Sequence, residues 1–213
     1  MISLICRGES LGHIKLLPKV NKCVLVNAFQ KELQIIDVFN YVKDCELYHV
    51  RSLGSECNGM DQYYNKLNFK KVVLPYINEC LPNDANNKTR HINIPITNLS
   101  DVNKKDMITS KRYAYTSPTA GMDALLYVVN ELNAEEVNII GMDFYDNSGY
   151  HTNSFGNNPA DKSKAMKYGE STESMTNFLT NFISNKPNVQ FNLYTKSNYN
   201  ANLKNLNITR ITW

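Results

Sequence analysis

The sequence predicts an α/β architecture: a mostly parallel sheet with helices on both faces. Three observations carry that prediction. Short apolar runs end in polar turns, as strands buried on both faces do. Helical patterns at three-to-four spacing alternate with those runs, which requires crossover connections between parallel strands. The chain has 213 residues with 42% hydrophobic and 20% charged side chains, enough apolar material for one core and too short for two full domains. Residues 1–213 are therefore read as a single domain.

The elements follow in order. Ile2 to Cys6 is an apolar run that breaks at Arg7-Gly8-Glu9-Ser10, and Lys22 to Val26 is a second that breaks at Asn27. Leu33, Ile36, Asp37, Asn40 and Tyr41 then repeat at helical spacing. Strand-like runs come next at Glu46–Val50, Lys71–Tyr76 and His91–Ile96. Ser117-Pro118-Thr119 offers a helix cap with proline in the first turn, and Ala124, Leu125, Val128, Val129 and Leu132 share one face, which predicts a helix over 119–133.

Val137 to Ile140 reads as a central strand stopping at Gly141, so Met142-Asp143-Phe144-Tyr145 stands at its C-terminal edge, where open parallel sheets bind ligands. The polar stretch that follows, rich in Asn, Gly and Ser, is too long for a plain connection, and residues 146–166 are read as a flexible lid. Met175, Phe178, Leu179, Phe182 and Ile183 restore a helical stripe, Val189–Tyr194 is a strand, and Ile208 to Trp213 alternates like an edge strand.

Composition excludes several classes of function. A formal net charge of +3, from 23 basic and 20 acidic residues, makes no basic field for nucleic acid. No window reaches the roughly 20 apolar residues that span a bilayer, and the start lacks the pattern of a signal peptide, so a cytoplasmic protein is expected. The five cysteines, Cys6, Cys23, Cys45, Cys57 and Cys80, have no metal-ligand spacing and read as buried thiols. About 30 residues are Asn, a type that tolerates left-handed turns. The four histidines, His13, His49, His91 and His151, form no metal pair, and no metal site is predicted. His151, following Tyr150 in the expected lid, is open to two readings, an acid–base group or a solvated loop residue. The turn at Arg7-Gly8-Glu9-Ser10-Leu11-Gly12 suits a nucleotide-binding turn, although it is neither GxGxxG nor a P-loop and reads equally as an ordinary strand-to-helix turn.

Taken in order, the pieces ICRGESL, VNAF, SPTAGMDALLYVV and VNIIGMDFYDNSGYH resemble the bacterial sialyltransferases of glycosyltransferase family 42, and more distantly the animal enzymes of family 29. The order and approximate spacing of these pieces cover most of the chain. The resemblance implies a Rossmann-like, GT-A-like sialyltransferase fold and an inverting glycosyltransferase. That enzyme would move sialic acid or a related ulosonic acid from a CMP-activated donor to a glycan acceptor. No further cofactor and no metal would be needed, and homo-oligomers are common among such enzymes. It also implies site residues. Gly8 and Ser10, with Arg7 where the family has Asn, fall in the turn against the CMP moiety, and Asn27 matches an asparagine that binds the nucleotide. Thr119, Ala120 and Gly121 match the turn facing the donor's carboxylate and ribose, at a helix start whose amides favour an anion. Asp143 lies in the Gly-Met-Asp-Phe-Tyr segment at the same edge, and Tyr145 and Tyr150 match tyrosines that support the leaving phosphate.

Such chemistry needs donors aimed at the phosphate and one base for the acceptor hydroxyl. The family's catalytic histidine sits in a Tyr-x-Gly-His-like segment, whereas this chain has Lys167-Tyr168-Gly169-Glu170. The base is open between Glu170 and His151. A non-catalytic nucleotide- or glycan-binding protein of the same fold, and a transferase using another nucleotide sugar, stand as the alternatives.

Overall fold

The computed structural model describes residues 1–51, 59–74, 94–98, 119–144 and 172–212. Eight strands form one sheet: β1 (Ile2–Ile5), β2 (Lys22–Val26), β3 (Glu46–Val50), β4 (Phe69–Leu74), β5 (Ile96–Asn98), β6 (Glu136–Ile140), β7 (Gln190–Thr195) and β8 (Leu206–Arg210). Their spatial order is β5-β4-β3-β2-β1-β6-β7-β8, and every pairing is parallel. The sheet is thus Rossmann-like, and wholly rather than mostly parallel among the described residues. The chain runs outward from β1 in one direction and returns to run outward in the other. The order therefore reverses between β1 and β6, and it is at the C-terminal edge of such a reversal that open parallel sheets bind ligands.

Helices cover both faces. On one face lie the 3-10 segment Glu9–Leu16, the 3-10 turn Glu32–Gln34, α1 (Ile36–Val42) and the single turn α2 (Asp61–Tyr64). They bury Ile5, Leu25, Leu47 and Val72 together with Leu11, Phe29, Val38 and Met60. On the other face α3 (Ala120–Asn130) and α4 (Thr172–Ser184) pack over Leu4, Val24, Val50, Ile139 and Leu193. Alternate residues of each strand serve the two cores, which is why β1 is buried throughout.

The helix expected over 119–133 is α3. Its cap is Thr119, whose hydroxyl accepts from the Met122 amide, so Pro118 precedes the cap instead of entering the first turn. Every residue from Met122 to Val129 is buried, because α3 lies between the sheet and α4. The stripe expected on α4 is realised, with Met175, Phe178, Leu179, Phe182 and Ile183 all buried. The threonine hydroxyl that opens α4, Thr172 Oγ1, donates to the Phe144 carbonyl at 2.8 Å and ties the start of that helix to the segment after β6. The lid expected at 146–166 falls between those two residues and outside the described ones.

The strand expected at His91–Ile96 is β5 and starts only at Ile96. Pro95 has no amide to give a ladder, but its carbonyl accepts from the Val72 amide at 2.9 Å and seats the strand beside β4. β8 is an edge strand, at Leu206–Arg210 instead of 208–213. Cys6, Cys23 and Cys45 are buried and free, while Cys57 and Cys80 lie outside the described residues. Among the described residues no helix is long and apolar enough to cross a membrane.

Candidate functional site at the sheet's switch point

The C-terminal ends of β1 and β6 are tied together by a compact set of bonds. Gly8 donates its amide to the Gly141 carbonyl at 2.7 Å, and the Gly141 amide returns a bond to Ser10 Oγ at 2.8 Å. Asp143 completes the tie. Its Oδ2 accepts from the Ser10 amide at 2.8 Å, and its Oδ1 accepts from Thr195 Oγ1 at 2.8 Å and the Lys196 amide at 2.9 Å. One carboxylate thereby fastens the turn after β1 to the end of β7.

Two glycines are dictated by this closeness. A side chain on Gly8 would place its first carbon 2.5 Å from Asp143 Oδ2 and 2.6 Å from the Gly141 carbonyl oxygen. Gly141 has φ +75°, and the same carbon there would fall 2.3 Å from the Cys6 carbonyl oxygen. The structure thus brings Gly8, Ser10 and Asp143 together and shows them engaged with one another and with Gly141. The amides of Gly8, Ser10 and Leu11 are all taken within the fold, the last by the Gly8 carbonyl at 3.0 Å. The turn does not form an open cradle of amides.

Arg7, in the same turn, is withdrawn from solvent. Its Nε donates to Glu32 Oε1 at 2.9 Å, and the two residues are 6% and 0% exposed. Burying two charges is costly, and a buried pair contributes little net stability. The start of α3 comes to the same place. A side-chain carbon built on Gly121 would lie 3.3 Å from Cys6 Sγ and 3.5 Å from Met142 Cε, so Thr119, Ala120 and Gly121 sit against the ends of β1 and β6. The first amides of a helix lack partners within it and carry partial positive charge. Burial, with Asp143 nearby, pushes the Cys6 thiol far up, which keeps it protonated and unreactive.

Asn27 ends β2 with φ 57°, a left-handed conformation that asparagine tolerates better than most residues. Its carbonyl accepts from His49 Nε2 at 2.6 Å. A carbonyl can only accept, so the proton sits on Nε2, and Nδ1 in turn accepts from the Tyr64 hydroxyl at 2.7 Å. Arg51, 1% exposed, reaches the same hydroxyl at 3.5 Å and Asp61 Oδ1 at 3.6 Å. A buried polar relay thus supports the bend at Asn27. No local signal in the sequence marks it, because its members come from β3 and α2.

His49 is wholly buried, and burial holds its pKa down to about 3, helped by the Arg51 charge. The unfolded chain would take up this proton near the ordinary value of about 6.5. The folded state resists protonation, so its stability is fully present above that range and falls as the pH drops from there toward 3. We expect a loss of roughly 1 kcal/mol per pH unit from this residue between pH 6 and pH 4. Urea unfolding across that range checks it: His49→Gln should flatten the dependence, and an unchanged slope would show that His49 is not responsible.

Tyr145, Tyr150, His151 and Glu170, on which the sequence rests the chemical step, lie outside the described residues, as does His91. No group of three metal-ligating side chains occurs among the described ones. Comparison with protein-family models, curated proteins and solved structures found no match. The site is read from its own geometry.

Proposed function

We propose that the chain is an inverting, metal-independent glycosyltransferase that moves sialic acid or a related ulosonic acid from a CMP-activated donor to a glycan acceptor. One observation supports this above others. The turn at Arg7–Ser10, the bend at Asn27 and the start of α3 at Thr119–Gly121 all gather at the C-terminal edge around the β1/β6 switch point. Those are the positions where the sequence resembles the family's nucleotide-binding segments.

In this reading Asn27 contacts the nucleotide, and Arg7 and the helix start face the anionic groups. Gly8, Ser10 and Asp143 hold the turn. The scaffold is a GT-A-like sialyltransferase fold with residues 146–166 as its lid. The phosphate is supported by Tyr145 and Tyr150, and the base is Glu170 or His151. Calorimetric titration tests the nucleotide part: CMP should bind at least about tenfold more tightly than UMP or GMP, and Asn27→Ala should lose about tenfold for CMP. Equal, weak binding of all three nucleotides would remove the assignment. A donor-hydrolysis assay separates the enzyme from a non-catalytic binding protein.

A further inference from the structure

We propose that β8 is a dimerisation edge, along which two copies of the chain pair antiparallel about a two-fold axis. Among the described residues β8 ends the sheet, beyond β7. The Phe191 amide donates to the Asn205 carbonyl at 2.9 Å, and the Ile211 amide to the Thr195 carbonyl at 3.0 Å. With a continuous parallel register between those two bonds, the odd residues from Asn205 to Ile211 turn both backbone groups toward β7. The even ones turn theirs outward. Leu206 gives its amide to the Leu203 carbonyl at 3.2 Å, which leaves the N–H and C=O groups of Ile208 and Arg210 facing away from the sheet.

This edge is held ready on both of its faces. On one, an asparagine ladder crosses the strands: Asn207 Nδ2 donates to Asn192 Oδ1 at 3.0 Å, and Asn192 Nδ2 to Asn138 Oδ1 at 3.0 Å. On the other, the Arg210 guanidinium donates to the Ser197 and Tyr199 carbonyls. A strand fixed in this way loses little further entropy when another strand is added to it. It also lacks the devices that keep edges apart: β8 holds no proline or lysine, its register with β7 has no bulge, and its one charge is drawn back onto the loop after β7. The outward groups complement a second copy of themselves. With Thr209 on the two-fold axis, Ile208 of each copy lies opposite Arg210 of the other, and each such pair exchanges both of its backbone bonds. Thr209 is exposed and would meet Thr209 of the second copy, a favourable cross-strand pair, while no like charges stand opposite. A strand of unrelated sequence would find the backbone groups but not the matched threonine that the two-fold supplies.

Sedimentation equilibrium of the full chain at high micromolar concentration tests the pairing, and the wild type should give twice the chain mass. Thr209→Lys and Thr209→Glu each set like charges face to face across the axis and should weaken association at least about tenfold. An equimolar mixture of the two variants should regain the dimer, because unlike charges then meet. Ile208→Pro removes an outward N–H and no bond to β7, so it too should give monomers. The mixture separates a lost interface from a lost fold, since misfolded variants are not rescued by mixing. A wild type that stays monomeric overturns the proposal. So does a dimer that Thr209→Lys and Ile208→Pro leave intact, or a mixture of Thr209→Lys with Thr209→Glu that stays monomeric.

Discussion

Glu32→Ala is expected to destabilise the fold by about 3–5 kcal/mol, the range found when one partner of a buried ion pair is removed. Glu32 is fully buried and takes the Arg7 Nε proton at 2.9 Å, so its loss strips the guanidinium of a carboxylate where water cannot replace it. Glu32→Gln keeps an acceptor and should cost less. The double replacement Arg7→Met with Glu32→Leu should recover most of the stability, because hydrophobic groups of similar volume avoid the desolvation penalty altogether. If Arg7 faces the nucleotide as proposed, the affinity of this variant for CMP should nevertheless drop. Urea unfolding and CMP titration on the same three variants measure both effects. A loss below 1 kcal/mol in Glu32→Ala would mean that Arg7 finds water or another acceptor.

Gly141→Ala should be comparably damaging for a different reason. A left-handed residue with a side chain costs about 1–3 kcal/mol. Here the added carbon would also meet backbone, at 2.3 Å from the Cys6 oxygen, 2.4 Å from its carbonyl carbon and 3.0 Å from the Arg7 nitrogen. Backbone cannot rotate aside as a side chain does, so β1 and β6 must separate. We expect a total loss of about 3 kcal/mol or more in urea unfolding, accompanied under the proposed function by weaker CMP binding, because Arg7 and Gly8 move with the strand end. Wild-type stability in the variant would show that the strand ends are not locked together.

Much of the sheet was legible in the sequence because its strands are covered on both faces. Lys22–Val26, an apolar run closed by a polar turn, and the strand-like run Glu46–Val50 match the structure residue for residue. α4 was equally legible from its stripe. Legibility failed where distant residues decide the outcome. Nothing near Arg7 announces Glu32, 25 positions away, and nothing near Asp143 announces Ser10, Thr195 or Lys196. The 3-10 segment Glu9–Leu16 was legible only as a turn, since Gly12 and His13 give no α-helical period; His13 has non-helical angles. At the site, the positions of Gly8, Asn27 and Thr119 followed from strand and helix ends. The engaged amides of Gly8 and Ser10 did not, because they depend on the end of β6 lying alongside.

The tie between the turn after β1 and the end of β6 also shapes how the molecule can assemble. Its hydrogen bonds join residues 131 and 133 positions apart, and β7 enters through Thr195 and Lys196. Contacts of such separation form late, after the entropy of closing long loops has been met. Until α3 and β6 arrive, the half-sheet β1–β4 has an unpaired central edge at β1 and a bare apolar face built on Leu4, Val24 and Val50. An exposed strand edge beside such a face invites pairing with other chains. The junction between the ends of β1 and β6 is therefore among the last parts of the molecule to exist, and the steps before its closure are those most open to aggregation and most in need of chaperone protection.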